Sequence, residues 1–287
     1  MRVVSPGKIV LVGEYAVLDG APAVVAAVDR GVACDVSPAD RRRITTPDGD
    51  TRFVAPALEA AEAPPAHYCF TAWNPPKTAT KAGLGGSAAA TVAAIVAARQ
   101  LRGVPSDPEA VHALAHHVHH AVQGSGSGID VAASARGGVL WFEAGEARPI
   151  DAPMPVVVYA GSSARTGPRI EQYRSLAART DFVAASRAAV QRFREDPLGG
   201  LADARAALDD MTARAGIDYW TAGLRQIVAL AAEHGGEAKP SGAGGGDSAI
   251  ALFTDPETRS SFVTACGAAG LRVIPTHLAA GAHASKE

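Results

Sequence analysis

Cysteine is scarce and scattered in this chain. Cys34, Cys69 and Cys266 are odd in number, far apart and without metal-ligand spacing. They read as reduced structural thiols, which points to a cytoplasmic setting. No apolar run approaches the ~18 residues of a membrane span, so none is expected. The N-terminus does not read as a signal peptide, because its apolar run 9–12 is broken by Gly13 and Glu14. Excess charge is also missing. A formal net charge of -2 offers no basic surface for nucleic acid or a lipid bilayer. The Walker pattern Gly-x4-Gly-Lys-Ser/Thr and the zinc pattern His-Glu-x-x-His are both absent. What remains is 287 residues at 47% hydrophobic and 20% charged, which fits a globular enzyme of two domains or one large one.

Glycine, by contrast, is concentrated. The stretch Lys81-Ala-Gly-Leu-Gly-Gly-Ser87 runs directly into an Ala-rich segment, 88–101, that reads as a buried helix. Glycine permits a tight loop and a close backbone approach. The first amides of a helix lack partners and carry partial positive charge, which suits a phosphate. Ser87 stands where an N-cap hydroxyl could also reach a magnesium ion. A plain structural connection is the competing reading. Two more glycine loops follow, Gln123-Gly-Ser-Gly-Ser-Gly-Ile-Asp130 and Lys239-Pro-Ser-Gly-Ala-Gly-Gly-Gly-Asp247. Asp130 is either an ordinary N-cap or a carboxylate presented to a reaction centre. Lys8 follows Pro6-Gly7 at the entrance of a strand, as a surface charge or a group reaching into a cleft.

The remaining pattern is mixed. Residues 9–12 and 23–28 read as strands around an Asp19-Gly20 hairpin signal, and 31–70 as further strands with Arg41–Arg43 at a solvated tip. A helix opened by Ser106–Glu109 carries His112, His116, His117, His119 and His120. His116 and His120 are one turn apart, but no carboxylate or cysteine completes a zinc set. An amphipathic helix with polar histidines is the expectation. A strand at 155–160 opens a second domain. Helices are expected at 170–193, 201–212, 221–234 and 256–266, and strands at 249–253 and 271–274. The tail from Gly281 is expected to fray.

Together, Pro6-Gly-Lys8 through Gly13-Glu14, Gly83-Leu-Gly-Gly-Ser87-Ala-Ala and Ser241-Gly-Ala-Gly-Gly-Gly-Asp247 resemble the three ordered motifs of the GHMP small-molecule kinases. The resemblance spans nearly the whole chain. It implies an α+β fold of two domains, 1–152 carrying the nucleotide loop and 153–287 ferredoxin-like, with the active site at their seam. It implies ATP and Mg2+ as cofactors. Lys81, Gly83, Leu84, Gly85, Gly86, Ser87 and Ala88 would hold the nucleotide phosphates, with Ser87 on the metal. Lys8 and Asp130 would be catalytic. The acceptor would meet Lys8, Lys81, Ser127, Gly128, Asp130, Arg165, Ser241, Gly244, Gly245 and Asp247.

Within the family the chain is similar to the phosphomevalonate kinases. Lys81 precedes the glycine loop by two residues, and the second and third motifs match that branch. The acceptor implied is (R)-5-phosphomevalonate, in a monomer or homodimer that binds neither nucleic acid nor membrane. Another GHMP kinase, such as a mevalonate or sugar kinase, and a catalytically silent ATP or metabolite sensor are the alternatives. Two departures stand out. Gly86 replaces a serine usual in the loop, and the segment before Asp130 is rich in histidine where mevalonate kinases carry a metal-binding glutamate.

Overall fold

The computed structural model describes residues 1–74, 83–161 and 166–285. Strand β1 (Arg2–Val12) leads through a 3-10 turn (Ala16–Asp19) into β2 (Ala23–Ser37). Next come β3 (Arg43–Thr45), α1 (Val54–Ala60) and β4 (His67–Trp73). Helices α2 (Gly86–Leu101), α3 (Pro108–Gln123) and α4 (Ile129–Arg136) precede β5 (Val139–Glu143) and β6 (Glu146–Pro149). The second half runs β7 (Val156–Tyr159), α5 (Thr166–Ser175), α6 (Thr180–Phe193), α7 (Pro197–Ala215), α8 (Ala222–Glu233) and β8 (Glu237–Pro240). It continues through β9 (Ser248–Leu252), α9 (Pro256–Ala268) and β10 (Arg272–Ile274) to β11 (His283–Ser285).

Two sheets result. The first has seven strands in the path β11-β1-β2-β4-β3, with β5 and β6 continuing from β2. The long β2 gives one edge to β1 and shares the other between β5 and β4. The second sheet has the order β10-β7-β9-β8, antiparallel throughout, with α5 to α8 between β7 and β8 and α9 between β9 and β10. That is the ferredoxin-like βαββαβ arrangement, its first connection enlarged to several helices.

Alternation along β1 and β2 decides which layer each face meets. Ile9, Leu11, Val24, Ala26 and Val28 pack with Val157, Tyr159, Val190, Phe193 and Ile250 of the second half. Val10, Ala23, Val25 and Ala27 instead meet Ile129, Ala132 and Ala133 of α4. One apolar core therefore joins the two sheets. Helix α2 is buried almost along its length and is surrounded by α1, α3, α4 and the first sheet. Alanine is what lets four neighbours close on one helix.

Several expectations are corrected here. Residues 54–60 form a helix rather than a strand, with Pro56 tolerated in its first turn, where no intrahelical N–H bond is due. β2 is continuous from 23 to 37. Gly20 ends a 3-10 turn in the left-handed region, inside the connection that joins the antiparallel pair β1 and β2. The helix expected over 170–193 breaks between Ser175 and Thr180. Residues 281–285 of the tail do not fray: Arg2, Val3 and Val4 pair with Ser285, Ala284 and His283. Isolated bridges Val28–Leu278 and Gly137–Ala280 bring it there.

Ala94 is fully buried in the first core. Ala94→Leu should cost about 1–3 kcal/mol by overpacking. A lowered urea midpoint with unchanged far-UV circular dichroism checks this.

Candidate active site

The end of β1 is fastened to the start of the third glycine loop. The Lys239 ammonium donates to the Glu14 carboxylate and to the Pro240 carbonyl (2.9 Å). Both side chains of the ion pair are out of solvent, at 0% and 3% exposure. Burial lowers the Lys239 pKa, and the Glu14 charge opposes that shift. The Gly242 amide also donates to Glu14 (3.2 Å). Ser241 Oγ accepts from the Val10 amide (3.1 Å) and donates to its carbonyl (2.9 Å). Tyr15 donates to the Ala243 carbonyl (2.7 Å). Ser241, expected to meet the acceptor, here ties the loop to β1.

The first glycine loop lies against the other two segments. The Lys8 amide donates to the Leu84 carbonyl (2.8 Å). A side chain on Gly7 would sit 2.4 Å from that same carbonyl oxygen, so only glycine permits the approach. A Cβ on Gly85 (φ +77°) would come 2.9 Å from Lys8 Cγ. One on Gly83 (φ +70°) would come 2.7 Å from Asp247 Cβ. The loop is thus wedged between Lys8 and Asp247.

The second loop supplies the carboxylate. Gly128 caps α4 in the left-handed region and packs on His116. Asp130 falls in the first turn of α4 rather than at its N-cap. Its Oδ1 lies 3.5 Å from Lys8 Nζ. Ser134 Oγ donates to the Pro6 carbonyl (2.8 Å), holding α4 against β1. Register shifts in β1 flank Lys8, between Pro6 and Gly7 and between Val10 and Val12. Such irregularities re-aim side chains beside active sites.

An open cleft is lined by Lys8, Glu14, Tyr15, His116, His119, Ser127, Gly128, Asp130, Ile170, Gly242 and Ala243, among others. Gly86 opens α2 and is exposed, whereas the Ala88 side chain is buried in the core. Gly85, not Ser87, is the N-cap of α2. Gly244 and Gly245 pack on Tyr219 and Arg169. Lys81 and Arg165 lie outside the described residues.

The histidine helix is only partly as expected. His117 and His120 are exposed, but His119 is buried. Its Nε2 is 3.1 Å from Ser87 Oγ, and its ring stacks on Phe53 at 4.9 Å. Burial lowers the pKa of His119 and His116 and brings His112 down to about 4. Among the described residues no group of three His, Cys, Asp or Glu side chains could hold a metal by itself. A magnesium ion nevertheless fits. It takes most of its ligands from nucleotide phosphates and water, and the Ser87 hydroxyl beside the glycine loop is a suitable oxygen donor.

The buried Glu14–Lys239 pair and His119 carried no assigned role in the sequence. The signal available was a charged residue at each end of two apolar strands beside glycine loops.

Residues 74–138 match the model of the GHMP kinases N terminal domain, and residues 186–270 match that of the GHMP kinases C terminal domain. The chain belongs to the GHMP kinase family. Among its GHMP relatives, the mevalonate kinase of Thermococcus sibiricus is 34% identical over 61% of this chain and 62% of that protein. The match thus spans about three-fifths of that relative's length. The phosphomevalonate kinase of Streptomyces sp. strain CL190 is 27% identical over 89% of this chain and 90% of its own. The solved phosphomevalonate kinase of Streptococcus pneumoniae, in complex with phosphomevalonate and AMPPNP, superposes with a TM-score of 0.84. It is 18% identical and covers 97% of this chain and 100% of that one. Among the described residues, no helix is long and apolar enough to cross a membrane.

Removing one partner of a buried ion pair strands the other charge. Glu14→Gln should therefore cost about 3–5 kcal/mol, and adding Lys239→Met should return most of it. A double-mutant cycle by chemical denaturation measures the coupling.

Proposed function

We propose that this GHMP kinase works in the mevalonate pathway and transfers the γ-phosphoryl group of ATP to (R)-5-phosphomevalonate, giving 5-diphosphomevalonate and ADP. The observation that carries the reading is the convergence of three glycine loops on Lys8, with Asp130 Oδ1 3.5 Å from its ammonium. Phosphoryl transfer asks a protein mainly for positioning and charge stabilisation. The Gly83–Ser87 loop and the first turn of α2 hold the nucleotide phosphates by their amides. Ser87 holds Mg2+, which when bound neutralises charge on the β- and γ-phosphates. Lys8 stabilises the oxygens of the group in flight, and Asp130 keeps Lys8 in place. Gly242 and Ala243 close the acceptor side. Three free thiols, two of them buried, support a cytoplasmic location.

The acceptor assignment rests on the near full-length likeness to the Streptomyces phosphomevalonate kinase and on Lys81 before the glycine loop. A second reading, mevalonate kinase, is favoured by the higher identity of the Thermococcus relative. The chemistry separates them. A phosphate monoester has its second pKa near ~6, so its attacking oxygen is already anionic at pH 7. It needs cations, not a base. An alcohol must lose a proton, and Asp130 is then the group within reach.

With phosphomevalonate, Lys8→Met should lower kcat far more than Asp130→Asn does. Equal and very large losses in both variants would overturn the phosphate-acceptor assignment. Gly85→Ala, which drives a methyl group against Lys8 at a left-handed φ, should cost on the order of 10²-fold in kcat and also lower Tm. Steady-state kinetics beside a thermal melt separate the two effects.

A further inference from the structure

Tyr15 stands in a backbone conformation that tyrosine rarely adopts. Its φ is 60° and its ψ is -55°. The Ala16 amide donates to the Glu14 carbonyl (2.7 Å), so residues 14–16 form a γ-turn of the rare, strained hand. A bulky side chain at positive φ persists only where its surroundings over-determine it, and such residues gather at ligand clamps. Two contacts from the second half of the chain hold Tyr15. Its hydroxyl donates to the Ala243 carbonyl (2.7 Å). Its ring packs on that of Tyr173 in α5, with centroids 5.2 Å apart.

Tyr173 also reaches the other end of the same turn. It is fully buried, and its hydroxyl donates to Asp19 Oδ2. Arg179, in the break between α5 and α6, donates to both oxygens of Asp19 (3.1 and 3.3 Å). Its guanidinium lies 5.5 Å from the centre of the Tyr173 ring. Tyr15 caps the 3-10 turn and Asp19 ends it, so the turn is clamped at both ends. Val17 and Leu18 lie between the clamped ends and line the cleft, together with Tyr15 and Ile170. None of Gly83–Ser87 lines that cleft, so the turn faces the acceptor rather than the nucleotide loop.

We propose that Tyr173 and Arg179, acting through Asp19, are positioning residues for the acceptor. They keep Tyr15, Val17 and Leu18 in the wall that the acceptor meets, and so set its affinity without changing that of ATP. The inference rests on the reading of this cleft as the acceptor site, and it holds for phosphomevalonate and mevalonate alike. Strain is the reason a clamp is needed. A turn released at Asp19 relaxes away from the γ-turn, and the wall moves with it. Hydrogen bonds to an ionised carboxylate are among the stronger ones available to hold it.

Steady-state kinetics on the full chain, with KM measured separately for ATP and for whichever acceptor the wild type uses, tests this. Asp19→Ala removes the acceptor of both clamp bonds. It should raise the acceptor KM about tenfold, keep most of kcat and leave the ATP KM within about twofold. Tyr173→Phe keeps the ring contact and should raise the acceptor KM about threefold, so the split is read even if Asp19→Ala fails to fold. Asp19→Asn still accepts from both partners and should stay within about twofold of wild type. Phe182→Leu is the control for packing. Phe182 meets the Tyr173 ring edge-on (centroids 5.8 Å), and its loss leaves the Asp19 bonds in place. It should lower Tm and change neither KM. Equal rises in both KM values in the clamp variants, or an acceptor KM raised as much by Phe182→Leu, would overturn the proposal and leave the kinase assignment standing. A wild type that releases ADP with neither acceptor would overturn the acceptor reading and this inference with it.

Discussion

The buried ion pair between Glu14 and Lys239 is the constraint from which the rest of the site follows. The two residues are 225 positions apart, one at the end of β1 and one in β8. Bringing two charges out of water is costly, and the pair is tolerated because each meets further partners at the same point. Lys239 reaches the Pro240 carbonyl, and Glu14 receives the Gly242 amide. The third glycine loop is thereby fixed to the first sheet. With that loop fixed, Gly83 meets Asp247 and Gly85 meets Lys8. The first glycine loop has no room to drift.

Small residues do the complementary work. Gly7 lets the Leu84 carbonyl approach β1, and the Lys8 amide then bonds it. The alanines of α2 let this helix sink into the first core while its N-terminus stays at the cleft. Charge pairs fix the distances and glycine removes the obstacles. Together they leave Lys8 as a nearly buried cation at the meeting point of three loops.

Much of this was legible in the sequence. The glycine loops, the Ala-rich helix and the strand periods gave the two-domain α+β family fold, because each is a local signal. Lys8 and Asp130 stood out as neighbours of glycine loops, and the structure has them in contact. What was not legible was non-local or too short. Helix α1 has seven residues and an internal proline. Strand β11 has three residues, and its partner lies at the other end of the chain. The inward turn of His119 depends on which face of α3 meets α2, which five histidines in nine residues do not reveal. The Glu14–Lys239 pair needed both domains in place before either charge had a reason to be buried.

The central claim is that the three loops bring a nucleotide and a second anion together at Lys8. The most direct measurement is coupled ADP release by the wild-type protein with phosphomevalonate and mevalonate as parallel acceptors. Saturable ADP release with phosphomevalonate, well above that with mevalonate, is the result expected. Release that is no greater with the phosphorylated acceptor, or that depends on neither, would contradict it.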